Sequence, residues 1–479
     1  MKRGKSIYLA WVWVIALLLV LGSAGAWGQT AKGPTAPGEA AAEEATEELK
    51  PERLKPEEVL PVPERERPGY FPTILAPTFY SIMQAGPVTG VAAPYGNAFA
   101  TDTLRRGWIS HGLGPVTVTP SLELDEIYRS NIFLSPTGKL SDFITLITPA
   151  IQFELPFASL HRVSVGYLGT YWIYAKHNEA SHYDHNANVD TQLNFPGGLS
   201  LRVGNAFRAA TEERTTVTGR ERDYLRDTPY LLGTYNIGDR FKIQAGYQFD
   251  DWKYRLPVDQ SNNYLENLAS LNLFYKFWPK TSAILGYVFT SRTYPHSSQN
   301  NNIKNSPLVG LSWDPTAKLT WSVRFGYTFT DYTHNAPDRN NSPSGWMASL
   351  GSIYRYSRAT TLNLSLQRSI QEDIDFNNRP FVATNVWVSL NHDWAFLRAA
   401  TYISFAYGNS SYFDSAPAPT SVKPVTREDN AYAIGAGISR PFARWVRLRL
   451  DYSYTKRESD FSTYNYDEHR VLLGAQFTL

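Results

Sequence analysis

Alternation runs through most of this chain. In residues 241–250, Phe241, Ile243, Ala245, Tyr247 and Phe249 interleave with Lys242, Gln244, Gly246, Gln248 and Asp250. In residues 319–330, Leu319, Trp321, Val323, Phe325, Tyr327 and Phe329 oppose Thr320, Ser322, Arg324, Gly326, Thr328 and Thr330. In residues 446–455, Val446, Leu448, Leu450, Tyr452 and Tyr454 oppose Arg447, Arg449, Asp451, Ser453 and Thr455. A period of two means a strand with one apolar and one polar face. The last stretch alternates too: Val471, Leu473, Ala475, Phe477 and Leu479 share one parity, and Gly474, Gln476 and Thr478 take the other, with Leu472 as the apolar exception. A bare apolar strand invites aggregation unless another strand closes on it. The expectation is an all-β barrel in which the last strand pairs with the first.

Eighteen strands are expected (16–18), near 116–129, 141–155, 159–175, 184–196, 198–212, 224–237, 240–254, 262–277, 281–293, 304–314, 318–333, 344–356, 359–369, 381–394, 397–412, 428–440, 444–457 and 466–479. Pro120 and Pro307 count against the strands that contain them. The connections alternate in length. Short turns such as Pro196-Gly197-Gly198, Gly238-Asp239 and Pro279-Lys280 follow the even strands. Longer polar loops, at 176–183, 215–222, 295–302, 335–343 and 415–427, follow the odd ones. Transmembrane up-and-down antiparallel barrels keep short turns on the periplasmic side and long loops outside. An even strand count then places both termini in the periplasm, and a barrel of about 16–18 strands encloses an aqueous channel.

Composition sharpens this picture. Mean hydropathy is −0.34, which argues against a helical membrane protein but not against a barrel whose strands are half polar. The 30 Tyr, 24 Phe and 13 Trp suit aromatic girdles at the two membrane boundaries, so lipid-facing Tyr and Trp are expected to be structural. A net charge of +2, with no basic blocks interleaved with aromatics, argues against nucleic acid as a partner. The absence of cysteine removes disulfides and thiolate metal sites.

The first 115 residues differ. Residues 1–26 read as a secretory signal: Lys2, Arg3 and Lys5 form a charged start, 7–21 an apolar run, and Ala24-Gly25-Ala26 a cleavage site before Trp27. The run is shorter than the ~20 residues a spanning helix needs. Residues 27–115 are rich in Pro, Glu and Ala and read as a disordered periplasmic arm; the apolar stretch 70–80 is a candidate to pack in the barrel mouth. The barrel domain is 116–479.

Residues 120–133 (PSLELDEIYRSNIF), followed by Ser141-Asp142-Phe143 and Thr148-Pro149, resemble the opening of the Putative beta-barrel porin type 2 family. The resemblance covers about 116–479 and rests on this opening and on strand rhythm. It implies an outer-membrane barrel associated with exopolysaccharide synthesis and export, with polysaccharide and periplasmic export or synthesis proteins as partners. The end of the chain, Gly474, Phe477 and Leu479, is similar to the C-terminal assembly signal that barrel-assembly machinery reads, although such signals most often end in Phe.

No motif carries catalysis. His177, His182, Asp184 and His185 lie in what reads as one loop, but their spacing matches no zinc site, and a polar loop is the simpler reading. Asp467-Glu468-His469 reads as a solvated rim. Gly435-Ala436-Gly437, inside an alternating strand, suits close packing or bending. Nothing resembles a nucleophile elbow or a metalloprotease helix, and no cofactor is expected. The functional surface is therefore the lumen, expected to be lined by Lys242, Gln244, Arg324, Arg447, Arg449 and Asp451 within an outer-membrane lipid setting. The leading function is passage of an extracellular polysaccharide. A general diffusion porin for small solutes is the alternative, favoured by an inward-folded constriction loop if one exists. A barrel-borne surface enzyme and an adhesin rank lower.

Overall fold

A computed structural model describes residues 111–113 and 116–478, apart from 159, 216–217, 315, 317, 336–338, 374–377 and 418–423. The secretory signal read at 1–26, nearly all of the arm read at 27–115, and Leu479 lie outside the described residues.

The elements are β1 (His111–Leu113), β2 (Val116–Arg129), β3 (Asp142–Phe157), β4 (His161–Tyr174), β5 (His182–Asn194), β6 (Leu199–Glu212), β7 (Arg222–Ile237), β8 (Phe241–Tyr254), β9 (Tyr264–Trp278), β10 (Thr281–Thr293), β11 (Asn302–Trp313), β12 (Leu319–Tyr332), β13 (Ser344–Arg355), β14 (Thr360–Asp373), β15 (Arg379–Trp394), β16 (Ala399–Pro417), β17 (Pro424–Ala443), β18 (Val446–Ser459) and β19 (Tyr466–Thr478). From β2 onward each strand pairs antiparallel with the next, and β19 pairs with β2 from Arg470↔Arg129 to Thr478↔Ser121. This closes an 18-stranded barrel and abolishes its edges. The three-residue β1 pairs with Val116–Val118 just beyond the place where β19 ends, so it prolongs the row of β19 along β2. Among the described residues, no helix is long and apolar enough to cross a membrane.

Alternation sets the two faces. Outward positions carry the exposed band, for example Phe241, Tyr247, Leu285, Phe325, Ile403, Leu450 and Leu473. Aromatics cluster in it near the short turns, as in Phe241 against Tyr275 (4.9 Å), Trp313 against Trp321 (5.4 Å) and Trp445 against Phe477 (6.0 Å). A second set, with Tyr171 stacked on Tyr183 at 3.9 Å, lies toward the long loops.

Proline is accommodated by interrupting one ladder at a time, because it lacks the N–H that a ladder needs. Pro149 pairs with Leu122 of β2 while the β3–β4 register skips it. Pro229 pairs with Asn205 while β7–β8 skips it, and Pro307 pairs with Tyr287 while β11–β12 skips it. Pro120, opposite Ile151, lies where β19 has run out. The short turn after β5 uses Gly197 and Gly198 at φ of 91° and 90°, a region that favours glycine.

Two loop assignments are corrected. Residues 415–417 and 424–427 belong to strands: β16 and β17 pair Ser415↔Thr426, Ala416↔Val425 and Pro417↔Pro424. Residues 370–373 belong to β14 and end at a buried Asp373. Both stretches are polar and read as loop, but their neighbours within the barrel supply the pairing and burial. One apolar cluster lies inside the barrel toward the long loops, where Ile127, Ile144, Leu146, Tyr174 and Leu472 enclose Ile132 of the β2–β3 loop, and a second, of Phe274, Ile284, Val288 and Leu308, lies on β9–β11 toward the short turns.

Candidate functional site

The six residues expected in the lumen share the face opposite the exposed band. Lys242 and Gln244 fall on the parity of the fully buried Asp250 of β8. The Lys242 ammonium stands 4.0 Å over the Phe274 ring. Arg324 pairs across β11–β12 with Gly310, in the inward row of Ser322 and Thr328. Arg447, Arg449 and Asp451 follow one another on the inward parity of β18.

Only part of this set is brought together. Arg449 reaches across β19 to β2: Nη2 lies 2.7 Å from Asp125 Oδ2 and 2.7 Å from Glu123 Oε1, with Asp451 at 4.0 Å. Tyr402 donates to Asp451 at 2.8 Å. Gly474 lies between, on the inward face of β19. A Cβ there would stand 2.2 Å from Asp125 Oδ1 and 2.8 Å from Arg449 Nε. The glycine is thus the slot through which the cation bridges the closing seam. Phe477 faces outward and stacks on Trp445.

Toward the long loops the lumen wall carries a denser charge network. Arg129, 2% exposed, binds Glu468 at 2.5 Å and Glu213 at 2.6 Å. Arg226 holds Asp250 through two nitrogens at 2.8 and 3.1 Å. Asp429 lies between Arg427 and Arg457, each at 2.7 Å. Buried charges persist only when paired in this way. Glu468 is therefore not a solvated rim residue. Its neighbours Asp467 and His469 do face outward, where His469 meets Tyr452 at 3.0 Å.

Sequence reading missed the aromatics inside this mouth. Tyr224 stacks on Trp252 (4.5 Å), Trp252 on Tyr264 (5.9 Å), and Tyr264 meets Tyr294 (6.0 Å). Arg226 and Arg292 cover the Trp252 and Tyr264 rings at 5.1 and 4.4 Å. Parity was the available signal: Trp252 and Tyr254 share the register of Lys242 and Gln244, not that of Tyr247 and Phe249.

The main departure from a plain cylinder is at β14–β15. The β13–β14 ladder stops at Ala348↔Arg368, although β13 continues to Ser344 and β14 to Asp373. Above Arg368 both parities of β14 are buried. Ile370 packs over Gly345, its Cδ1 3.7 Å from where a Cβ would be. Glu372 meets the inner wall of β10–β11: Lys304 at 2.8 Å, Arg292 at 3.2 Å, and the Tyr294 hydroxyl at 2.7 Å. Asp373 meets Arg427 at 3.3 Å and accepts from the Tyr412 hydroxyl. This end of β14–β15 therefore leaves the wall, crosses inside β13 and narrows the mouth. The sequence did not reveal this inward turn.

Two other sectors of the lumen are rich in amides and hydroxyls. On β3–β5 they include Thr148, Gln152, Thr170, Asn186, Asn188 and Gln192, with Glu154, Arg162 and Asp190 on the same face, beside a cavity of about 410 Å³. On β14–β15 they include Asn363, Ser365, Asn385 and Ser389, with Asn363 donating to Ser389 at 3.2 Å.

The histidines disperse. His177 pairs with Asp142 at 2.9 Å; His182 and His185 lie in β5, not in a loop, His182 stacked inward on Trp172 at 5.4 Å and His185 outward beside Tyr167 at 3.0 Å. They form no common ligand set. Gly437 packs closely: a Cβ would stand 2.0 Å from Asp451 Oδ1 and 2.4 Å from a Tyr402 ring carbon.

Comparison with known proteins completes the assignment. No curated protein matches the chain. Among solved structures, OpdK of Pseudomonas aeruginosa with vanillate aligns at 12% identity and TM-score 0.42, over 76% of this chain and 99% of its own. OccK2 (OpdF) of Pseudomonas aeruginosa in complex with glucuronate aligns at 11% and 0.44, over 76% and 98%. A BenF-like porin from Pseudomonas fluorescens Pf-5 aligns at 11% and 0.45, over 77% and 100%. The family model described as "Putative beta-barrel porin 2" matches residues 111–479, so this chain belongs to that family of outer-membrane β-barrel porins.

Proposed function

We propose that the barrel passes an extracellular polysaccharide across the outer membrane and performs no chemistry on it. The observation that carries this reading is the pair of amide- and hydroxyl-rich walls on β3–β5 and β14–β15, the first of which also carries Glu154, Arg162 and Asp190. Sugars are recognised by many donors and acceptors of modest strength. A conduit must bind weakly enough to release. Amides that make long bonds, as Asn363 does to the Ser389 hydroxyl at 3.2 Å and Gln192 to Asn194 at 3.4 Å, keep spare donors and acceptors for a passing hydroxyl. Cations on the same inner face, Lys242, Arg324, Arg447 and Arg449, suit a polymer that also bears acidic groups. The resemblance of the barrel opening to an exopolysaccharide-associated family supports the same direction.

In this reading the short-turn rim and both termini are periplasmic, and periplasmic synthesis and export proteins feed the lumen. The outward band meets outer-membrane lipid, and the barrel-assembly machinery engages β19. The driving force comes from those partners, since a passive pore supplies none. The test is a strain lacking this protein. Export predicts that secreted polymer disappears while cell-retained polymer accumulates or its synthesis stalls; unchanged secretion overturns it.

Small-solute diffusion is the second reading, and the inturned end of β14–β15 favours it, because a narrowed mouth suits sieving. It predicts solute-size-dependent swelling of liposomes containing the purified barrel, with polymer secretion unaffected by its loss.

A further inference from the structure

Continuing the β13–β14 register past Ala348↔Arg368 would set Met347 opposite Ser369, Trp346 opposite Ile370, Gly345 opposite Gln371 and Ser344 opposite Glu372. The alternation of β14 fits that arrangement. Ile370 would join Trp346 on the lipid side, while Ser369, Gln371 and Asp373 would face the lumen. In the observed arrangement these ladder pairs are replaced by the bonds of Glu372 to Lys304, Arg292 and Tyr294. Two packings of one segment are thus available, one held by a ladder and one by a carboxylate latch.

From this geometry we infer that the loop-side end of β14–β15 is a gate. Latched inward by Glu372, it narrows the mouth. Released, it zips onto the free stretch of β13 and widens the lumen. The β15–β16 ladder, continuous from Trp394↔Ala399 to Phe381↔Tyr412, carries the swinging hairpin. Arg368, the last residue of β14 that pairs with β13, is the hinge: its guanidinium bonds Thr384 at 2.8 Å and stacks on Trp346 at 4.1 Å. The gate is independent of what passes, so it stands under either reading of function.

Single-channel conductance of the full chain in planar bilayers tests it. The chain contains no cysteine, so Gly345→Cys with Gln371→Cys introduces the only thiols. Directly opposite residues of an antiparallel pair can be bridged. Oxidation should trap the open register and raise conductance about twofold or more, reversibly with reductant, because pore width sets ion flow. Glu372→Lys, placed against Arg292 and Lys304, should raise the time spent in the high-conductance state, and Glu372→Gln should do so less. Heat-modifiable migration on gels checks that each variant is folded. If the disulfide forms without changing conductance, or fails to form while folded Glu372→Gln and Glu372→Lys conduct like the parent, the gate is wrong and the inturned hairpin is a fixed constriction.

Discussion

The seam between β18, β19 and β2 and the notch between β13 and β14 pose the same problem with opposite solutions. At the seam the ladder is uninterrupted: β19 pairs with β18 over twelve residues and with β2 over nine. Arg449 then spans it from inside, clasping Asp125 and Glu123 past Gly474. At the notch the ladder stops four residues short of the end of β13, and a carboxylate on β14 reaches across the lumen instead. Backbone pairing is cooperative and fixed in register, whereas a side-chain latch can be exchanged for water or another partner. The comparison teaches that one barrel can tie its closing seam with both a full ladder and an ion pair while leaving another junction, where the β13–β14 ladder ends early, to side chains.

The seam breaks most severely at Gly474. Gly474→Val should prevent closure, because even a Cβ would collide with Asp125 Oδ1 and crowd Arg449 Nε. The expected outcome is loss of most of the heat-modifiable, folded form in isolated outer membranes. Recovery of normal amounts of folded barrel would show that the seam tolerates the displaced ion pair. Next in size is Arg449→Ala. It leaves Asp125 5% exposed and beside Glu123 and Asp451 with no cation between them. Removing one partner of a buried pair costs about 3–5 kcal/mol, and the partial exposure of Arg449 and Glu123 argues for the lower end. Tryptophan fluorescence through a denaturant titration of the refolded barrel measures the shift.

Glu372→Gln removes a more deeply buried charge but should cost the whole barrel less, about 1–2 kcal/mol, since Arg292 keeps Glu266 at 2.7 Å and the amide keeps hydrogen bonds to the same groups. A local opening relieves the notch before global unfolding begins. Equal denaturant shifts for Glu372→Gln and Arg449→Ala would erase the distinction between latch and seam.

Strand positions were legible because alternation is local. Fifteen of the eighteen expected segments agree with the structure to within about three residues at each end, inside the tolerance of such readings. Three strands overran, β14, β16 and β17; the extra residues of the last two include Ser, Pro and Thr, which read as loop until the neighbouring strand pairs with them. The inward aromatics Trp252 and Tyr254 were legible by parity and were overlooked because aromatics were assigned to the lipid side. The mouth network was not legible: whether Glu468 or Arg427 is buried depends on residues tens to hundreds of positions away. The inturned hairpin was hidden for a further reason. Ile370 and Glu372 keep the outward parity of their strand, so the pattern describes the zipped packing and is silent about the latched one.

The smallest effect should come from Arg368, the notch's counterpart of Arg449. Both are arginines at a strand junction, but Arg368 faces outward, on the row of Ala348 and Thr384. There it gains one hydrogen bond to Thr384 and the face of Trp346. Each such interaction contributes about 0.5–1.5 kcal/mol. Against this stands the cost of a cation on the lipid side, about 0–1 kcal/mol near a membrane boundary and more with depth. The two nearly cancel, so Arg368→Ala should move the denaturant midpoint by less than about 1 kcal/mol, in contrast to Arg449→Ala. Its trace should appear in gating instead. Without the tie between β13, β14 and β15 at the last paired row, the hairpin loses its fixed hinge, and the distribution of open times in single-channel records should broaden. A large loss of stability with unchanged open times would make Arg368 a wall residue like any other and move the hinge elsewhere along β14.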